Sequence, residues 1–133
     1  MNDFPKSRRI TSQKLIDALF GGGRNKSFAA FPLRAVWMVT DRSDATIPTS
    51  PIQILISVPK KRLHHAVDRN RVKRQLREAY RTQQSVLNAA LPEDKCLSVA
   101  FLWQSDHHVS SEVVTARVAK ILSRIAEIEG EQK

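Results

Sequence analysis

The chain has 133 residues, 41% of them apolar, and sets 22 lysines and arginines against 13 acids for a formal net charge of +9. That length suits one domain over residues 1–133 with a two-layer core, and no run of eighteen apolar residues exists to form a membrane-spanning helix. A pI near 10.3 leaves nucleic acid, an anionic membrane surface or an acidic protein as partners, while the single cysteine, Cys96, excludes an internal disulfide and fits a cytoplasmic location.

The N-terminus, MNDFPKSRRI, has bases but no apolar stretch behind them, so it is not a secretory signal, and residues 1–8 are expected to fray. Residues 12–20, SQKLIDALF, set Leu15, Ile16, Leu19 and Phe20 at helical spacing behind Ser12 as an N-cap. Gly21, Gly22 and Gly23 stop that helix. The apolar stretch Phe28–Val39 predicts one strand; Pro32 has no N–H for a ladder, so the strand is an edge or begins after it. Residues 41–51, DRSDATIPTSP, are rich in turn formers and read as a mobile hairpin loop. IQILISV (52–58) is the clearest strand. A basic segment runs to about Gln84, and 85–95 reads as a connector. CLSVAFLW (96–103) is an almost unbroken apolar run of strand length, expected to be buried on both faces. Residues 111–128 close the chain as a helix, with Val114, Val118, Ile121, Ile125 and Ile128 on one stripe, before a fraying tail at 129–133. The order α-β-β-α-β-α predicts an α+β fold, a small mixed sheet with helices packed on it.

Charge is concentrated in one place. From Lys60 to Arg81 nine bases face two acids, a net of +7 in 22 residues. As a helix, DRNRVKRQLREAYR gathers Val72, Leu76, Ala79 and Tyr80 on one side, with Asn70, Arg74, Arg77 and Arg81 opposite and Arg71 and Lys73 on the flanks. Guanidinium suits phosphate because it is planar, always charged and donates two parallel hydrogen bonds. Asn70 could read a base edge or a 2′-hydroxyl. A merely solvated face would mix signs at i,i+4 spacing; here only Glu78 has basic neighbours, Arg74 and Arg81, so the pattern favours an anionic partner. Membrane binding would want large apolar residues opposite the bases, and those present are needed for a core.

Other chemistry finds little support. GGGRNKS (21–27) lacks the glycine before Lys26 and the preceding strand of a phosphate-binding loop. His64-His65 and His107-His108 are adjacent pairs whose side chains diverge, which does not suit zinc, so no metal ligand is assigned. The scattered acids offer no two-metal or acid–base cluster, so no catalytic residue is assigned. A DNA-binding helix would need a helix-turn-helix partner or a dimer, and a strand precedes this one.

The segment SVPKKRLHHAVDRNRVKRQLREAYR closely resembles the signature of the bacterial ribonuclease P protein component: Ser57, Val58, Lys60 and Lys61, then Ala66 and Val67, then Arg69, Asn70, Arg71, Lys73, Arg74, Arg77 and Glu78. Leu19, Phe20 and Gly23 match the end of that family's N-terminal helix. Two departures stand out: the link Arg62-Leu63-His64-His65 is one residue longer than the family's, and Ile16 occupies the place of a first-helix aromatic.

The resemblance implies a left-handed strand–helix–strand crossover and a protein that is monomeric alone. It also implies an endoribonuclease holoenzyme in which a large RNA carries out Mg2+-dependent hydrolysis, removing the 5′ leader of precursor tRNA. Lys60, Lys61, Arg62, Arg69, Asn70, Arg71, Lys73, Arg74, Arg77 and Arg81 would then meet the ribonuclease P RNA. Ile16, Phe20, Phe31 and Arg34 would line a cleft for the single-stranded leader, although the frequency with which phenylalanine is buried favours core packing for Phe20 and Phe31. The rival reading is a non-catalytic RNA-binding module of ribosomal or ribosome-assembly type.

Overall fold

A computed structural model describes residues 25–41, 52–91 and 95–130. Four strands, β1 (Lys26–Ala30), β2 (Leu33–Asp41), β3 (Ile52–Ser57) and β4 (Lys95–Trp103), form a sheet in the order β1-β2-β4-β3. The pairs β1–β2 and β2–β4 are antiparallel, and β3 runs parallel to β4. Three helices complete the described chain: α1 (Ala66–Arg81), α2 (Ser85–Ala90) and α3 (Ser111–Gly130).

The single strand expected over 28–39 is instead a tight hairpin. The chain reverses at Phe31-Pro32, with Ala30 opposite Leu33, and β2 begins immediately after the proline. A residue without an N–H thus sits in the turn, outside the ladder. The 41–51 segment is not a hairpin loop, because β2 and β3 are not neighbours; β4 lies between them. Residues 42–51 themselves, and the N-terminal helix expected at 12–20, lie outside the described residues.

β4 is central, hydrogen-bonded on both edges, which is why its apolar run is continuous: seven of its nine residues are buried. Register then sorts the side chains. Leu33, Ala35 and Trp37 of β2, Ile52 and Ile54 of β3, and Leu97, Val99, Phe101 and Trp103 of β4 share one face and one core cluster with the helices. Into it α1 inserts Val72, Leu76, Ala79 and Tyr80, α2 inserts Leu87, and α3 inserts Val114, Val118, Ile121, Leu122 and Ile125. Val36, Met38, Gln53, Cys96, Ser98 and Ala100 are buried as well, outside that cluster. The connector expected at 85–95 begins as α2, whose buried Leu87 ties a segment of weak local signal to the core.

The last helix also departs from expectation: it continues to Gly130, and Glu129 is buried while Ile128 is only partly so. Glu129 Oε2 accepts hydrogen bonds from Lys26 Nζ at 2.8 Å and from Trp37 Nε1 at 2.9 Å. A carboxylate near a helix C-terminus opposes the helix dipole, and this pairing offsets that cost while fastening α3 to β1 and β2. Glu129→Ala strands a buried indole N–H and is expected to lower stability by about 2–3 kcal/mol in urea unfolding. Lys26→Ala, which removes a half-exposed partner, is expected to cost less than 1 kcal/mol, within roughly the surface ion-pair range.

Candidate nucleic-acid interface

β3 ends at Ser57, and the chain reaches α1 through Val58–His65. This link folds into a turn. Arg62 N and Leu63 N both donate to Pro59 O, at 3.0 and 3.3 Å, and Leu63 is buried. His65, the N-cap, makes no side-chain capping bond. Arg69 stabilises this entry instead: its Nη1 donates to Leu63 O and His64 O, both at 2.9 Å. The loop after β4 supplies two more ties. Arg62 Nη1 lies 3.3 Å from Asp106 Oδ1, and His108 Nε2 lies 3.0 Å from Asp68 Oδ1. The His108 hydrogen bond is the main reason that the Asp68 carboxyl is held below its usual value, helped by nearby His65 and Arg71.

At the other end of α1, Arg81 grips Glu78 with Nε at 3.1 Å and Nη2 at 2.6 Å. That pairing lowers the Glu78 pKa and raises that of Arg81. Arg77 is half-buried and engaged within the protein. The middle of the helix is different. Asn70, Arg71 and Arg74 are exposed, Lys73 is half-exposed, and Lys60 and Lys61 stand exposed in the preceding turn. Among the described residues none of these five cations has an ion-pair partner. Of the ten bases and polar groups expected at an RNA surface, Arg62 and Arg69 are therefore engaged in holding the entry to α1, Arg81 is paired with Glu78 within the helix, and a smaller set faces outward unpaired.

Phe31 and Arg34 belong to a second region. Phe31 is 67% exposed, so core packing is not its role, and its carbonyl accepts a hydrogen bond from Arg117 Nε at 2.9 Å. Arg34 is exposed and donates to Ser27 Oγ at 3.4 Å. Register places Arg34 opposite Leu102, itself opposite Ser57. These residues form a row on the sheet face away from the core cluster, at the end where β3 leads into Lys60 and Lys61. Arg34 thus shares an end of the sheet with the basic link but not a face with the α1 arginines. Ile16 and Phe20 lie outside the described residues.

Sequence reasoning missed the Asp68–His108 tie, Arg117 and Glu129. In the sequence His108 offers only the adjacent-pair pattern with His107; among the described residues no group of three or more histidines, cysteines or acids is placed to hold a metal. No described helix is long and apolar enough to cross a membrane.

Comparison with known proteins gives concordant results. The family model described as Ribonuclease P matches residues 4–126. The ribonuclease P protein component of Porphyromonas gingivalis is 38% identical over 122 residues, covering 91% of this chain and 85% of the relative. That of Chlorobaculum tepidum is 33% identical over 94 residues, covering 70% and 58%. Among solved structures, the RNase P protein of Staphylococcus aureus superposes with a TM-score of 0.66 at 19% identity, over 90% of this chain and 96% of that one. The RNase P protein from Thermotoga maritima gives 0.65 at 18%, over 87% and 96%.

The depressed Asp68 pKa carries a sign. The pair contributes stability above the ordinary carboxyl value of 3.8 and loses it as pH falls through the lower folded value. In thermal melts across pH, Asp68→Asn is expected to be less stable than wild type above about pH 4, with the gap closing in stronger acid. A gap that stays constant into strong acid would show that the carboxylate does not hold this loop.

Proposed function

The chain belongs to the ribonuclease P protein family, and on that premise we propose that it is the protein subunit of ribonuclease P, an endoribonuclease that removes the 5′ leader of precursor tRNA. In this reading the outer face of α1 binds the enzyme's RNA, and the region of Phe31 and Arg34 meets the leader. The observation that carries it is the row of cations in the middle of α1, Arg71, Lys73 and Arg74, without ion-pair partners among the described residues. Unpaired like charges repel one another, and phosphates relieve the repulsion while releasing condensed counterions. A cationic face between two RNAs lowers their mutual repulsion in the same way.

The roles divide along the chain. Lys60, Lys61, Arg71, Lys73 and Arg74 are the phosphate contacts, and Asn70 is placed to meet a 2′-hydroxyl or base edge. Arg62 and Arg69 act mainly by holding α1 in position, through the ties to Asp106 and the link carbonyls, while Arg81 is paired with Glu78 within the helix. An exposed Phe31 ring with Arg34 nearby suits a stacked base and its phosphate. The described residues do not fit a protein-held Mg2+: they contain no cluster of acidic or histidine ligands, and the proposed RNA face is cationic. The metal of the holoenzyme belongs, on this reading, to the RNA, which carries the hydrolysis.

The direct test is cleavage of a precursor tRNA by a bacterial ribonuclease P RNA at low magnesium, with and without this protein. Restored cleavage at the 5′ boundary is expected; binding without any restoration would leave a non-catalytic RNA-binding module. Arg71→Ala together with Arg74→Ala should flatten the log–log salt dependence of RNA binding by about 1.4–1.8, at about 0.7–0.9 per lost phosphate contact. An unchanged slope would take α1 out of the interface. Phe31→Ala should weaken precursor tRNA binding to the holoenzyme by about tenfold while sparing mature tRNA, since stacking contributes about 1–3 kcal/mol per base. Equal losses on both would exclude a leader contact.

A further inference from the structure

The turn between β1 and β2 presents a large apolar side chain to solvent. Phe31 is the only aromatic residue so exposed among the described residues, while Ala30 and Leu33 on either side of the turn are buried. No ring or guanidinium of the described residues stacks on it. The backbone beneath the ring is nevertheless held from two sides. Arg117 Nε donates to the Phe31 carbonyl at 2.9 Å, and Gln104 N donates to the Pro32 carbonyl at 2.8 Å. Both carbonyls of a two-residue turn are thereby engaged, one from α3 and one from the chain just after β4.

Arg117 is itself placed by the core. It lies in the second turn of α3 between Val114 and Val118, both fully buried, so the apolar stripe of the helix fixes where its side chain starts. Farther along the helix, Arg124 lies over the Phe28 ring, 5.9 Å from its centroid, and Glu129 pairs with Lys26. Residues 31, 28 and 26 of the hairpin thus meet residues 117, 124 and 129 of α3 in order, and the helix runs beside β1 as a splint. Arg124 and Glu129 brace the strand, whereas Arg117 reaches the turn. Its guanidinium has no ion-pair partner among the described residues, so a hydrogen bond rather than a charge pair joins it to the hairpin.

We infer that Arg117 is a positioning residue: through its bond to the Phe31 carbonyl it holds the Phe31-Pro32 turn rigid, so that the exposed ring stands ready-placed at the end of the sheet. A ring held beforehand loses less freedom when a base settles on it, and the contact is stronger for that reason. That the base belongs to the leader of precursor tRNA rests on the function proposed above. Arg117 itself touches no RNA in this role.

Two substitutions separate the bond from the charge. The side-chain N–H of glutamine stands as many bonds from the backbone as arginine Nε, so Arg117→Gln keeps a donor and drops the charge; Arg117→Met has similar length and no donor. In 15N relaxation on the full chain, the Phe31 amide should keep an order parameter near the rigid value of about 0.85 in wild type and Arg117→Gln, and fall toward the flexible range below about 0.6 in Arg117→Met. In the holoenzyme with ribonuclease P RNA, Arg117→Met should bind precursor tRNA about three- to fivefold more weakly and Arg117→Gln less than about twofold, with mature tRNA spared in both. In a Phe31→Ala background Arg117→Met should cost nothing further, since both changes remove one contact. Equal losses in Arg117→Gln and Arg117→Met with a flatter salt dependence would make Arg117 a charge contact to RNA and overturn the inference. A turn that stays rigid in Arg117→Met overturns it too, as does a loosened turn that leaves precursor binding intact where Phe31→Ala weakens it. If Phe31→Ala itself spares precursor binding, the leader reading of Phe31 fails separately. The order parameters then decide Arg117 alone: a turn loosened by methionine and kept by glutamine upholds its role, and an unmoved turn ends it.

Discussion

The docking of one narrow apolar stripe governs the rest of the structure. Val72, Leu76, Ala79 and Tyr80 are all buried on the sheet, with the Tyr80 ring centroid 6.4 Å from that of Phe101 on the central strand. An isolated 16-residue helix carrying this much like charge would be marginal in water. Burial of those four side chains supplies what local propensity does not. It also sets the helix's rotation, and with it the direction of every base on the opposite face. The cationic surface is thus a consequence of core packing, because a helix pinned on one side can only present the other.

The bases at the two ends of α1 and those in its middle behave differently for a physical reason. Near the ends the chain turns, leaving carbonyls and neighbouring loops within reach; Arg69 bonds the link carbonyls, Arg62 meets Asp106 and Arg81 meets Glu78. Exposed contacts of this kind add little net stability, and for Arg62 and Arg69 the orientation of the helix entry is the main contribution. In the middle, the helix's own hydrogen bonds occupy the backbone, and no acid of the described residues forms an ion pair with Arg71, Lys73 or Arg74. Residues that look equivalent in a string of bases therefore do different work, some holding the helix and others facing a partner.

The buried Glu129 shows the same logic from the inside. Its carboxylate takes donors from Trp37 and Lys26, clamping the end of α3 to the first two strands. With α3 held there and Gln75 bonded to its beginning, the long helix becomes a rigid back wall for α1.

Periodicity and charge were legible in the chain itself. The 3.6-residue spacing of Val72, Leu76, Ala79 and Tyr80, and of Val114, Val118, Ile121 and Ile125, reports which faces are buried, since only regular burial produces such spacing. The unbroken apolar run of β4 likewise announced a central strand, and the R-N-R segment announced the family. The hairpin at Phe31-Pro32, the short α2 and the last turn of α3 were not legible. Each depends on a partner distant in the chain, as Glu129 depends on Lys26, 103 residues away. The sequence by itself thus determined the elements, their inward faces and the family to which the chain belongs. Only the tertiary structure decided which charges are engaged and which remain exposed, because contacts such as Arg62–Asp106 and Asp68–His108 form across 44 and 40 residues, at distances that no local pattern encodes.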